Sequence, residues 1–270
     1  MTRSLYLECS AGISGDMTVA ALLDAGASEE KLRSVLDTLP VQGFSIEISR
    51  VQKAGQDACD FNVVLDEVHE NHDHDMEYLY GQAHEHEHSH EHHHEHRGMA
   101  EITAIIDDCA ATEGAKDLAK RIFNIIANAE AKAHETTVDQ VHFHEVGAVD
   151  SIVDVLAAAV CFDDLGISDV IVTRLNEGQG TVRCQHGALP VPVPAVCNIV
   201  EAHQIPLKIL NVQGELVTPT GAAIAAALRT TDKLPKMFTV ERIGLGAGKR
   251  VYPETSGLLR TLIINDRFEN

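Results

Sequence analysis

Between residues 84 and 96 the chain reads HEHEHSHEHHHEH, eight histidines in thirteen positions interleaved with glutamate and serine. Such a stretch has no apolar face to bury and shows neither the 3.6-residue period of a helix nor the alternation of a strand. A chain that carries it in its middle must build its fold from the segments on either side. His69, His72 and His74 precede the run, so the span from 69 to 98 is expected to be a disordered, mobile connector. Its position inside the chain argues against a purification tag. Imidazole is the commonest metal-binding side chain, and an unperturbed pKa of roughly 6.5 leaves most rings neutral and able to ligate at neutral pH. His84, His86, His88, His90, His92, His93, His94 and His96 are therefore candidate metal ligands.

The flanking segments can fold. With 270 residues, 44% of them hydrophobic, the chain has material for a substantial core. The reading that follows is a small α/β subdomain over 1–68, the His-rich segment over 69–98 and a main α/β domain over 99–270. No apolar run reaches transmembrane length, and MTRSLYLECSAGISGDM lacks the charged start and long apolar stretch of a secretory signal, so a cytoplasmic protein without a membrane partner is expected. The six cysteines show no CxxC spacing, which argues against a disulfide framework or a thiolate zinc knuckle. A formal charge of −20 with no tryptophan makes nucleic acid an unsuitable partner and raises the local concentration of divalent cations.

SLYLEC alternates like a strand, and Gly12 and Gly15 make a turn before the helical pattern MTVAALLDAG. KLRSVLDTL reads as a helix, and FSIEISRVQKAGQDACDFNVVLDE as two strands around Gly55. From Met99 apolar residues recur three and four apart, predicting a helical hairpin broken near Gly114. SIVDVLAAAVCFDDLG, VPAVCNIVEAH and TPTGAAIAAALRT read as helices; DVIVTRLNEG, GTVRC, MFTVERIGLG and GLLRTLIIND read as strands. The fold class is α/β or α+β, mixed helices and short strands with an internal disordered segment.

Three stretches could carry chemistry. VHFHEVGAVDSIVD sets His142, His144, Glu145, Asp150 and Asp154 within thirteen residues. Histidines two apart on extended chain point to one side, and carboxylates four apart on a helix share a face, a donor set suited to nickel, zinc or manganese. The plainer alternative is a strand end followed by an acidic helix face. CSAGISGDM places Ser14, Gly15 and Asp16 between a strand and a helix, where free amides could hold phosphate or Asp16 could simply cap the helix, the favoured reading. TPTG offers Thr218, Thr220 and Gly221 at a second helix start, with capping again the simpler role. GLGAGKR lies between strands and is a weak phosphate signal, and Cys184 with His186 a weak metal one.

Taken together, LYLECSAGISGDM, the histidine run, VHFHEVGAVDSIVD, HGALPVPVPA, GELVTPTGAAI and GLGAGK resemble, in order and over nearly the whole chain, the nickel-pincer cofactor nickel-insertion protein family. The resemblance implies insertion of nickel into a pyridinium bisthiocarboxylate mononucleotide, with bonds from nickel to carbon and two sulfurs, to complete the cofactor of lactate racemase. It implies a lyase-class cyclometallase that uses CTP with Mg2+ or Mn2+, and apo lactate racemase as recipient of the product. In the family the nucleotide-binding portion is C-terminal, and this chain corresponds to the N-terminal, metal-handling part, with that C-terminal portion as partner and a homo-oligomer possible. A nickel–carbon bond requires loss of a ring proton, for which Glu145 or Asp16 could be the base. The substrate phosphate could rest on the helix starts at Ser14, Gly15, Thr218, Thr220 and Gly221. His142 and His144 would belong to the working metal site and the run would act as an exchangeable reservoir. A nickel store or chaperone without chemistry of its own is the competing reading; a zinc hydrolase is disfavoured because no HExxH occurs.

Overall fold

The computed structural model describes residues 3–66, 76–80, 97–141, 149–184 and 187–266. The chain opens with β1 (Arg3–Glu8), whose inward Leu5 and Leu7 are fully buried, and α1 (Gly15–Asp24). Ser28 caps α2 (Glu29–Leu36), which buries only Leu32 and Leu36. β2 (Phe44–Lys53) and β3 (Gln56–Leu65) form a hairpin. Its two-residue turn has positive φ at both Ala54 and Gly55, the backbone twist that suits tightly linked antiparallel strands. Then come α3 (Met76–Tyr80), α4 (Met99–Asp108), α5 (Glu113–Ala133) and α6 (Val149–Leu165). β4 (Asp169–Ile171), β5 (Leu175–Cys184), β6 (Gly187–Val191), α7 (Pro194–Ala202) and β7 (Leu207–Gln213) follow. α8 (Pro219–Leu228), β8 (Thr239–Ala247) and β9 (Leu258–Asn265) complete the order.

Strands from before and after the histidine run share one mixed sheet, in the order β2-β3-β8-β9-β1-β4. A smaller sheet runs β6-β5-β7. The main sheet lays one face against α1, with α6 and a layer of α5, α7 and α8 beyond. Leu5, Leu7, Leu259 and Ile263 meet Val19, Leu22, Ile152 and Leu156 in one continuous core. Gly244 and Gly246 of the GLGAGK stretch are accounted for here: a side chain at either would overlap the backbone of α1 at Ala21 or Met17. These glycines serve helix-on-sheet packing rather than phosphate.

The α/β expectation holds, with corrections of detail. Within the span read as too polar to bury anything, Met76–Tyr80 is helical and Leu79 is 6% exposed; one apolar pair inside a polar stretch is enough to dock a single turn. LNEG and GTVRC are one strand, β5, because a register shift at Glu177–Gln179 carries the pairing through Gly178. β6 and β7 were not foreseen, since GALPV contains proline and LKILNVQ is a short edge strand without clean alternation. The helical hairpin breaks before Thr112, whose Oγ accepts the Ala115 N–H at 3.1 Å, so Gly114 lies inside the first turn of α5. The expectations for residues 69–75 and 81–96 lie outside the described residues.

Candidate functional site

The loop after β1 and the loop before α8 clasp each other. Ile13 N–H donates to Leu216 O at 2.9 Å and Thr218 N–H to Ile13 O at 3.1 Å. Gly12 adopts φ 91°, and a Cβ there would overlap the Leu216 carbonyl; both facts demand glycine. Gly221 brings the first turn of α8 onto Ile13, where a side chain would again strike backbone. Gly15 faces Asp154 of α6, whose side chain a Cβ there would overlap, and the Asp154 carboxylate accepts the backbone N–H of Asp16. The starts of α1 and α8 and the first turns of α6 therefore converge on one place.

Beside this junction lies a cleft enclosing about 440 Å³, its mouth included. One wall carries Ser14, Asp16 and Met17; another carries Glu215, Leu216 and Thr218; the third, from the β8–β9 connection, carries Lys249, Arg250 and Tyr252. Asp16 is 6% exposed, and one of its oxygens accepts from the Ser14 hydroxyl while Oδ2 has no hydrogen-bond partner. Ser14, not Asp16, is the N-cap residue of α1, and its hydroxyl is spent on Asp16 rather than on a backbone amide. The capping role favoured for Asp16 is thus not what it does. Burial, then the charges of Asp16 and Asp150, hold the Asp154 carboxyl well above the usual range, against the pull of Lys249 and the Asp16 amide.

The opposite wall is cationic. Lys249 Nζ pairs with Asp60 at 2.6 Å, and Arg250 with Glu215 at 2.6 Å. Lys53 donates to the carbonyls of Gly248 and Arg250, and burial lowers its pKa. Tyr80 and Tyr252 join their hydroxyls at 2.8 Å and grip the Glu215 backbone, Tyr80 accepting its N–H and Tyr252 donating to its carbonyl, each at 3.0 Å. Behind the loop sits Glu177, fully buried. Its Oε1 accepts the N–H groups of Gly178, Leu216 and Val217 at 2.8, 2.6 and 3.1 Å, and burial pushes its carboxyl up to about 7.

Chemically, the cleft sets hydroxyl and cationic groups suited to an anionic ligand against carboxylates able to take a proton. Among the described residues, no three His, Cys, Asp or Glu side chains are arranged to hold a metal. Of the residues singled out from sequence, Ser14, Asp16 and Thr218 are brought together on the cleft. Thr218 also caps α8, its Oγ accepting the Gly221 N–H at 3.1 Å, as foreseen. Gly15 and Gly221 provide close approach, and Thr220 is buried in the first turn of α8. His142, His144, Glu145 and the eight histidines from His84 to His96 lie outside the described residues. Lys53, Asp60, Tyr80, Glu177, Glu215, Arg250 and Tyr252 were not found from sequence. The one signal available was GKR at the end of a glycine-rich strand.

The nickel insertion protein family matches residues 5–270. Over 267 residues the chain is 51% identical to the pyridinium-3,5-bisthiocarboxylic acid mononucleotide nickel insertion protein of Alkaliphilus metalliredigens, a match covering 98% of this chain and 61% of that protein. Proteins of the same name from Acetivibrio thermocellus and Staphylococcus epidermidis are 40% and 35% identical, over 92% and 100% of this chain and 57% and 61% of theirs. The chain thus spans about three fifths of the length of these relatives. No solved structure matches it.

Proposed function

Because the chain belongs to the nickel insertion protein family, we propose that it carries the metal-inserting part of a reaction that places nickel in pyridinium-3,5-bisthiocarboxylic acid mononucleotide. In that reaction a ring C–H bond breaks, its electron pair becomes the nickel–carbon bond, and the two thiocarboxylate sulfurs complete the donor set. The proton needs an acceptor, and no oxidant or reductant is required. Asp16 is the acceptor in this reading. The single observation behind it is a buried carboxylate oxygen without a partner, on a residue that lines the cleft the family-like motifs build. Water is kept from that oxygen, so proton transfer to it needs little solvent reorganisation.

The substrate phosphate sits against Thr218, which accepts from Gly221 and keeps its own proton to donate, and against Lys249, with the helix starts at Ser14, Gly15, Thr220 and Gly221 adding their dipoles. Asp154 already takes the Asp16 amide, so the α8 side of the junction is the better anion seat. Nickel is delivered from the run His84–His96 to His142 and His144, with Glu145 the alternative base. CTP with Mg2+ or Mn2+ acts in the C-terminal portion of the longer relatives, the product passes to apo lactate racemase, and the reaction is of the lyase class. No described helix is long and apolar enough to cross a membrane, which fits the proposed cytoplasmic setting.

Asp16→Asn tests the assignment. The amide keeps an acceptor for Ser14 and cannot take the proton. Insertion, reconstituted with nickel, mononucleotide, CTP and the C-terminal portion and followed by mass spectrometry, should fall about 100-fold or more at saturating nickel, the low end for loss of a general base. The new NH2 replaces an oxygen without a partner, which costs stability, so cooperative thermal unfolding is measured alongside to confirm that the variant is folded. Full activity in this variant would remove Asp16 from the chemistry; failure of the wild type to form any nickel complex would favour a store.

A further inference from the structure

The main sheet has a second face. Residues paired across neighbouring strands point the same way, so Leu262 and Ile264 of β9 share that face with Tyr6 of β1 and with Ile243 and Val240 of β8. Ile171, Leu262 and Ile264 are buried there against Tyr6 and Phe238. Val240 and Ile243 are 46% and 55% exposed, and Met237, just before β8, is 60% exposed. The elements packed on β8 are β9, β3 and α1, with α1 on the opposite side over Gly244 and Gly246. β3 pairs with β8 only at Cys59↔Gly246. Among the described residues, the backbone edge from Thr239 to Ile243 therefore has no neighbouring strand. On β2 and β3 the same face carries Ser45, Glu47, Ser49, Asp60 and Asn62, while Val51 and Ala58 pack against Ala247 and Leu258, so the large exposed apolar residues of this face lie in one strip, in and just before β8, at Met237, Val240 and Ile243.

We propose that this strip, centred on Val240 and Ile243, is the docking surface for the part of the longer relatives that lies outside the matched region. Apolar residues grouped on a strand with an open edge are a liability in a lone domain and call for a cover. The relatives supply one, because this chain spans only 61% and 57% of the first two named above. The resemblance puts their additional part after the segment equivalent to β9. Asn265 of β9 pairs with Thr239, the residue next to Val240, so that part is tethered at the rim of the strip. Tethering raises the effective concentration enough for a small apolar surface to suffice. Ile243 lies six residues before Lys249, which follows the end of β8, at most about 20 Å of extended chain away, so docking at the start of β8 leaves the cationic wall of the cleft open to substrate. The inference does not depend on the assignment of Asp16.

The test uses this chain and, separately, the unmatched part of the Alkaliphilus metalliredigens relative, with binding measured by sedimentation velocity and calorimetry. Val240→Lys with Ile243→Lys should weaken binding about tenfold or more, as loss of a central apolar anchor does. Val240→Thr with Ile243→Thr, which keeps strand-favouring β-branched residues, should give the same trend if the lysine pair fails to fold. Hydrogen exchange should show protection of residues 239–243 on binding. Equal binding by the folded variants, no binding by the wild type, or self-association of this chain through the strip that the added part does not displace would each overturn the proposal.

Discussion

Glu177→Gln isolates one proton. The Glu177 side chain is fully buried, with three backbone N–H groups on Oε1 and no hydrogen-bond partner for Oε2. Burial outweighs those amides and lifts its pKa from the ordinary 4.5 to about 7. The unfolded chain therefore releases this proton near 4.5 while the folded chain holds it to about 7, and between those values the native state binds more protons. Stability from protonated Glu177 is fully present below the lower value, is lost as pH rises to the upper one, and stays lost above it. At about 1.4 kcal/mol for each pH unit, the loss is about 3 kcal/mol. Glutamine cannot lose a proton. Its NH2 takes the place of an oxygen without a partner, which costs about 1–3 kcal/mol independent of pH. The sign of the difference at any single pH thus decides nothing; its change with pH does. Urea unfolding of both proteins from pH 4.5 to 8 should show the variant gaining about 3 kcal/mol on the wild type across that range, other groups cancelling. A difference that is the same at pH 5 and pH 8 would refute the reasoning.

Gly12→Ala, which needs a positive φ and would strike the Leu216 carbonyl, should lower stability by about 3 kcal/mol or more in the same assay; Gly166→Ala, with positive φ but open space around it, should cost about 1 kcal/mol. Deleting residues 84–96 should leave cooperative unfolding intact and lower nickel stoichiometry, with insertion recovering at high nickel. The intact chain should release nickel as pH falls through about 6, where imidazole protonates, and a nickel content constant from pH 8 to 5 would contradict that.

Much of this protein is written locally. The alternation of SLYLE, the three-and-four spacing of Leu118, Ile122, Phe123 and Ile126, the KAGQ turn and the cap at Thr218 each depend on neighbours a few residues away, so they can be read in order along the chain. The motifs around Ser14 and Thr218, which the fold brings together on one cleft, stand out for the same reason: glycines and hydroxyls mark a helix start locally. What the chain could not reveal is who lies beside whom. Strand β1 chooses β9 and β4 because burial of both its faces is settled only when the whole sheet assembles, and LKILNVQ becomes a strand only because β5 offers it an edge. Lys249 meets Asp60 across 189 residues, and Tyr80 reaches Glu215 across 135. Glu177 gives no sign in sequence that it holds the cleft loop from behind. Its role, like the raised carboxyl of Asp154, arises from desolvation, and a residue's distance from water is a property of the packed structure alone.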